Sequence, residues 1–299
     1  MVYFKVWRSD FVKVTIKDVA REANVAPSTV SRVLSDSPKI SEETKIKVNK
    51  AIKKLNYKPN AIARSLVNNK TKILGVVLPN EADDSFKNPF FVEAMRGMSM
   101  SAEENGYYIM YAFSKNDEDE LKTIKEFSSN NLLEGLCLLS VREEDKTIKY
   151  LKDINFPFVV IGRPDEEDVL WVDNDNFQAM FKLVDKFIKD GQSDIAFIGG
   201  KKSWNVSKDR LSGFKDAFKA NNLNYDKTMV IEGIDFSEEC GYLAMREIIS
   251  KRTPKIVVTT DDLLALGANK FLNEEGIEGV KIVGFNNTPM TKYQNPPIS

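Results

Sequence analysis

Two hydrophobic periods divide the chain. Up to residue 58, apolar residues fall at helical spacing: Val19, Ala20 and Ala23, then Val30, Val33 and Leu34, then Val48, Ala51, Ile52 and Leu55. Three short helices are predicted there. From Ile73 onward, short apolar runs alternate with amphipathic stretches. The runs Ile73–Leu78, Tyr107–Ala112, Gly135–Leu139, Phe158–Ile161, Ile195–Ile198, Lys255–Thr259 and Lys281–Val283 predict strands. Stretches such as Asn176–Lys189 predict helices between them, here with Phe177, Met180, Phe181, Val184, Phe187 and Ile188 on one face. This alternation implies an α/β class with parallel sheets and right-handed crossovers. In such sheets ligands bind beyond the carboxyl ends of the strands, so function is sought in those loops.

Boundary signals sharpen the first part. Thr15-Ile16-Lys17-Asp18 has the pattern of a capping box, a helix start. Asn24 tolerates the left-handed conformation that ends helices, and Val25 plugs the turn that follows. Pro27 suits the first position of a second helix, whose Val30, Val33 and Leu34 face inward and whose Ser28, Thr29 and Arg32 face outward. Ser41 caps a third helix, with Glu42 and Glu43 in its first turn. Two helices joined by a tight turn, with a third in support, place the second in a major groove. Arginine there binds guanine through two hydrogen bonds, and hydroxyls take phosphate or base edges.

Composition and charge point the same way. The 299 residues carry 43 Lys+Arg against 44 Asp+Glu, 42% hydrophobic residues and a net charge of −1, a globular balance sufficient for two or three units. Residues 14–70 carry 12 Lys+Arg and 5 Asp+Glu, whereas residues 71–299 sum to −10. A basic head on an acidic body suggests a polyanionic partner for the head, although a solvated charged face reads equally well on charge alone. The chain has no histidine, which removes the Ser-His-Asp triad, histidine metal motifs and a His general base. Cys137 and Cys240 lie in apolar stretches and read as two buried thiols in a reducing cytosol. No apolar run is long enough to span a bilayer, and the first 13 residues lack the unbroken apolar core of a signal peptide. A soluble, cytoplasmic protein with no membrane partner is expected.

The run Val14-Thr-Ile-Lys-Asp-Val-Ala-Arg-Glu-Ala-Asn-Val-Ala-Pro-Ser-Thr-Val-Ser-Arg-Val-Leu, followed by Leu55-Asn-Tyr-Lys-Pro-Asn-Ala-Ile-Ala-Arg-Ser-Leu, closely resembles the lactose-repressor (LacI/GalR) family. The resemblance implies residues 14–58 as a helix-turn-helix domain, residues 59–70 as a hinge helix and linker, and residues 71–299 as an effector-binding and dimerisation core. It assigns DNA contacts to Thr15, Ser28, Thr29, Ser31, Arg32, Asn60, Ala63, Arg64 and Leu66. Leu66 matches the leucine that wedges into the central minor-groove step, the alternative being that it packs the linker on the core. Two departures stand out. Ala26 occupies the position of a capping serine, at a cost on the order of 1 kcal/mol. Residues 1–13 have no family counterpart and are an extra arm or a misassigned start.

The core carries family signatures too: Asn88-Pro-Phe-Phe, Val172-Asp-Asn-Asp-Asn, Phe197-Ile-Gly-Gly and Lys208-Asp-Arg-Leu-Ser-Gly-Phe. They imply a fold like the periplasmic sugar-binding proteins, with lobes over roughly 71–162 and 163–286 around a cleft. Within the family the chain most resembles the maltose-operon repressors of Gram-positive bacteria. The implied effector is a small sugar, maltose or a related glucoside, with Phe90, Phe91, Arg163, Asp173, Arg210 and Asn286 around it. Aromatic rings stack on sugar faces, and Asp, Asn and Arg satisfy hydroxyls. Asn286 replaces an aspartate usual in the family, losing a charge. Plainer readings stand beside these: the phenylalanines as core, Asp173 as a turn or helix cap, Arg210 paired with Asp209 or another surface acid.

The resemblance therefore predicts a homodimeric transcriptional repressor on a double-stranded operator, not an enzyme, with no cofactor. Two other readings stay open. One is a catabolite-control regulator with a phosphoprotein corepressor. The other is an enzyme or a binding protein on the same lobed fold, to which the basic head contributes nothing. Pro296-Pro297-Ile298-Ser299 matches the segment where relatives cross back to the first lobe. A final portion on the order of 40 residues is thus expected to be missing, leaving a less stable chain with an open sheet edge.

Overall fold

The computed structural model describes residues 14–58, 70–78, 88–114, 116–130, 132–294 and 297–298. Asn60, Ala63, Arg64 and Leu66, expected in a hinge helix, and residues 1–13, expected as an extension, lie outside the described residues. The chain forms two compact units, one up to Thr71 and one from Lys72.

The first unit is helical: α1 (Ile16–Ala23), α2 (Pro27–Leu34) and α3 (Glu42–Lys54). Its core is Val19, Ala20, Val30, Val33, Val48, Ala51 and Tyr57, the apolar stripes expected from the spacing. Burying one such valine contributes about 2 kcal/mol. The Asp18 carboxylate accepts from the Thr15 amide at 2.9 Å and from its hydroxyl at 2.7 Å. Asn24 ends α1 at φ 52°, and Val25 N–H reaches back to the Ala20 carbonyl at 2.9 Å. Ser41 caps α3 by accepting from Thr44 N–H. Ala26 leaves α2 without a side-chain cap.

The second unit contains two parallel sheets. The first has the order β2-β1-β3-β4-β5, from β1 (Ile73–Leu78), β2 (Tyr108–Phe113), β3 (Gly135–Leu138), β4 (Phe158–Ile161) and β5 (Trp171–Val172). The second has the order β7-β6-β8-β9, from β6 (Ile195–Gly199), β7 (Val230–Glu232), β8 (Ile256–Thr259) and β9 (Lys281–Val283). Helices α4 (Pro89–Glu104), α5 (Asp117–Ser129) and α6 (Lys146–Asp153) belong to the first lobe. Helices α7 (Asn176–Lys189), α8 (Asn205–Ala220), α9 (Glu238–Lys251), α10 (Asp262–Glu274) and α11 (Pro289–Lys292) follow in the second.

Two strands escaped the sequence reading. Trp171–Val172 extends the first sheet beyond residue 162, where the lobe boundary was expected, by pairing with Val160–Ile161. It has two residues, both exposed, and so shows neither a run nor an alternation. Val230–Glu232 is a three-residue edge strand, half-buried at Val230 and Ile231 and too short to show a run or an alternation. Where α7 crosses α8, a Cβ on Gly213 would come within 2.3 Å of the Phe177 carbonyl oxygen, so only glycine permits that approach. Both cysteines are free and half-buried rather than fully buried, and burial pushes the Cys137 thiol up.

Candidate nucleic-acid interface and effector cleft

Helix α2 presents its outer face because its inner one is consumed. Val30 and Val33 enter the core, which turns Ser28 and Arg32, four residues apart, to solvent. Thr29 and Ser31 are half-buried beside them. Among the described residues, no carboxylate pairs with Arg32, nor with Lys17, Lys39, Lys50, Lys53 or Lys58, whereas Lys54 is held by Glu22 and Lys45 by Asp36 and Glu42. The face thus keeps an unneutralised cation, Arg32, next to hydroxyls. Thr15, expected to touch DNA, has its hydroxyl proton committed to Asp18, which that bond holds below its ordinary pKa. Its oxygen remains able only to accept.

The second unit has a cleft at the carboxyl ends of its strands. Its walls come from the loops after β1, β3, β4 and β5 in the first lobe, and after β6, β7, β8 and β9 in the second. It encloses about 650 Å³ of empty space, its mouth included. Phe90, Phe91, Trp204 and Phe236 form an aromatic wall, with Phe90 and Phe91 edge to face at 5.4 Å and Trp204 against Phe236 at 5.2 Å. Phe91 is therefore both core and lining.

Five of the six expected effector residues line this cavity: Phe90, Phe91, Asp173, Arg210 and Asn286. Arg163 does not. Its guanidinium pairs with Asp209 at 2.6 Å, leaving its side chain half exposed. That takes the acid offered above as a partner for Arg210. Arg210 is instead buried. Its Nε and Nη2 donate to Asn176 Oδ1 at 3.0 and 2.7 Å, Nη1 donates to the Thr260 carbonyl, and Cζ lies 3.4 Å from the centroid of Phe285. Burial pushes its pKa down to about 10, against the pull of Asp261, Asp173, Asp262 and Asp209. Asp173 serves its own turn as well as the cavity. Its Oδ1 accepts from Asn174 N–H and Asn176 Nδ2, and its Oδ2 from Arg163 N–H.

The sequence reading missed Asn88, Trp204, Asn205 and Asp261. Asp261 is buried and accepts at Oδ2 from Asn88 Nδ2 at 3.1 Å and from Asn286 Nδ2 at 2.9 Å. Its Oδ1 caps α10 through Leu263 N–H at 2.8 Å. Burial lifts its pKa to about 6. The Trp204 indole N–H and Asn205 Oδ1 are buried beside the cavity with no partner among the described residues. A buried, unmet donor and acceptor cost stability unless something else satisfies them. Their signal lay in the loop after β6, where an aromatic residue precedes an amide.

Comparison with known proteins agrees with both halves. Residues 15–60 match the model for bacterial regulatory proteins of the lacI family, and residues 71–293 match that for periplasmic binding proteins and the sugar-binding domain of the LacI family. The HTH-type transcriptional regulator MalR of Streptococcus pneumoniae is 41% identical over 275 residues, 91% of this chain and 83% of that protein. CelR of Thermobifida fusca is 31% identical, over 95% of this chain and 85% of that one. Among solved structures, a CelR–cellobiose complex superposes with a TM-score of 0.71 at 29% identity, covering 95% of this chain and 86% of that one. A lac repressor dimer superposes with a TM-score of 0.82 at 22% identity, with the same coverage, and shows the shared fold. With a basic helix-turn-helix head and a largely apolar, aromatic-walled cleft between two parallel sheets, the chain belongs to the LacI family of bacterial regulatory proteins, DNA-binding transcriptional repressors that respond to sugars.

Proposed function

We propose that the protein represses sugar-utilisation genes as a cytoplasmic homodimer, is not an enzyme, and is controlled by a neutral glucose disaccharide, maltose or a close relative. The cleft chemistry carries the choice of a neutral ligand. Two carboxylates, Asp173 and Asp261, line it, against one guanidinium that is already occupied by Asn176, Thr260 and Phe285. An anionic ligand meets repulsion there; hydroxyls find acceptors. The aromatic wall offers stacking surface for sugar rings, and the Trp204 N–H and Asn205 Oδ1 supply one donor and one acceptor awaiting partners. The relative named MalR, and the glucose disaccharide cellobiose in the similar CelR structure, support the same class.

Two copies of α2 read two half-sites of a near-palindromic operator, protein and DNA sharing a two-fold axis. Ser28, Thr29, Ser31, Arg32 and Thr15 form the major-groove contacts, and the 59–70 segment with Asn60, Ala63, Arg64 and Leu66 the minor-groove ones. The sugar shifts the dimer between states by differential affinity, typically worth about 1–3 kcal/mol of coupling. The test is titration of an operator complex with maltose, cellobiose and glucose 6-phosphate in a gel shift. Release by a neutral disaccharide but not by the phosphate is expected. Release by the phosphate alone overturns the reading.

A further inference from the structure

The cleft contains a lobe-to-lobe hydrogen bond made of protein atoms only. Asn88 precedes α4 in the first lobe, and Asp261 precedes α10 in the second. Asn88 divides its amide: Oδ1 accepts from Phe90 N–H at 3.0 Å and caps α4, while Nδ2 donates across the cleft to Asp261 at 3.1 Å. Both residues are buried, at 6% and 5% exposure. Asn286 fixes the receiving oxygen from the other side at 2.9 Å. Asn88 thus spends one amide end on its own helix and one on the partner lobe, while Asp261 gives Oδ1 to α10 and Oδ2 to the two amides. The lobes meet again on a backbone seam, where Glu143 N–H donates to Ser203 O and Asn205 N–H donates to Val141 O, both at 3.3 Å.

We propose that Asn88 and Asp261 form a latch that holds the two lobes together across the cleft, with Asn286 fixing the carboxylate that Asn88 grips. The pair acts at helix starts, so a change in it is passed to α4 and α10 as rigid bodies. The latch requires neither a direct contact with the sugar nor a particular sugar.

Exchanging the two side chains reverses the bond. In N88D a carboxylate still caps α4 but faces the Asp261 carboxylate, and all variants are compared at about pH 9 so that no shared proton bridges the pair. In D261N an amide still caps α10 but turns its N–H groups on the donors of Asn88 and Asn286. In N88D/D261N the amide now at position 261 donates to the carboxylate now at position 88, and Asn286 reverses its own amide to accept. The reciprocal pair restores the bond that either single change breaks.

Hydrogen exchange of the dimer, without sugar, tests this by mass spectrometry. The seam amides of Glu143 and Asn205 report lobe separation, whereas Val77 and Val258, inside the sheets, do not. Exchange at the seam should accelerate at least tenfold in N88D and in D261N, with the sheet amides unchanged. It should return to within threefold of wild type in the double variant. Unchanged seam exchange in N88D, or a double variant as fast as its singles, overturns the latch. If D261N does not fold, N88D and the double variant decide by the same criterion. Because no ligand is present, failure of the latch and failure of the effector assignment are separate results.

Discussion

Arg210 lies over the ring of Phe285, its Cζ 3.4 Å from the centroid, while Asn176 Oδ1 receives two of its N–H groups. A planar fork held on one face and along one edge is presented to the cleft in a single orientation. Its ordering has already been met by folding, so a ligand does not meet that cost again.

Replacing that fork with a point charge should therefore fail. R210K keeps a cation but loses the paired bonds to Asn176 and the stack on Phe285. The expected result is at least tenfold weaker effector binding by calorimetry. R210A leaves Asp261 and Asp173 without their buried cation and should cost about 3 kcal/mol in urea unfolding. Equal affinity in R210K would show that charge alone suffices.

Asp261 gives the protein a pH dependence of known sign. Burial is the main influence lifting its pKa to about 6, with Asp262 adding to it and the Leu263 amide, Asn88 and Arg210 opposing it. Asp173 and Asp209 also surround Arg210. The folded state binds this proton more tightly than the unfolded one. The contribution is fully present below about pH 4 and is lost as pH rises through about 6, on the order of 3 kcal/mol. Oδ2 has two lone pairs and takes both amides in either protonation state. Unfolding free energies of wild type and D261N should converge as pH rises from 4 to 7; a constant difference contradicts the assignment.

The uncapped start of α2 is a correctable defect. Ala26 offers no acceptor to the first-turn N–H groups. A26S should stabilise the head by about 1 kcal/mol, read as slower amide exchange in α2. No change in protection would mean those groups are already satisfied by water at no cost.

Much of the molecule was legible because its cues are local. Thr15 and Asp18 are three residues apart, Asn24 ends its own helix, and Val30 and Val33 fix which side of α2 remains for Ser28 and Arg32. The missed features are those that local patterns do not encode. Asn88 read only as the first residue of a family signature, and only the fold brings it to Asp261, a residue that separately caps α10. Arg163 was expected at the cleft from the resemblance, yet Asp209, on α8, draws its guanidinium away. Trp171–Val172 became a strand through its neighbour, not through its own pattern.

The exposed Ser28/Arg32 side of α2 carries the account, and one comparison tests it most directly. Affinities of wild type and R32A are measured on the cognate operator and on random duplex at one fixed salt concentration. R32A should lose about 1–3 kcal/mol on the operator, with relaxed base choice, and much less on random DNA. Equal loss on both duplexes, or wild-type protein that ignores the operator at low salt, would contradict it.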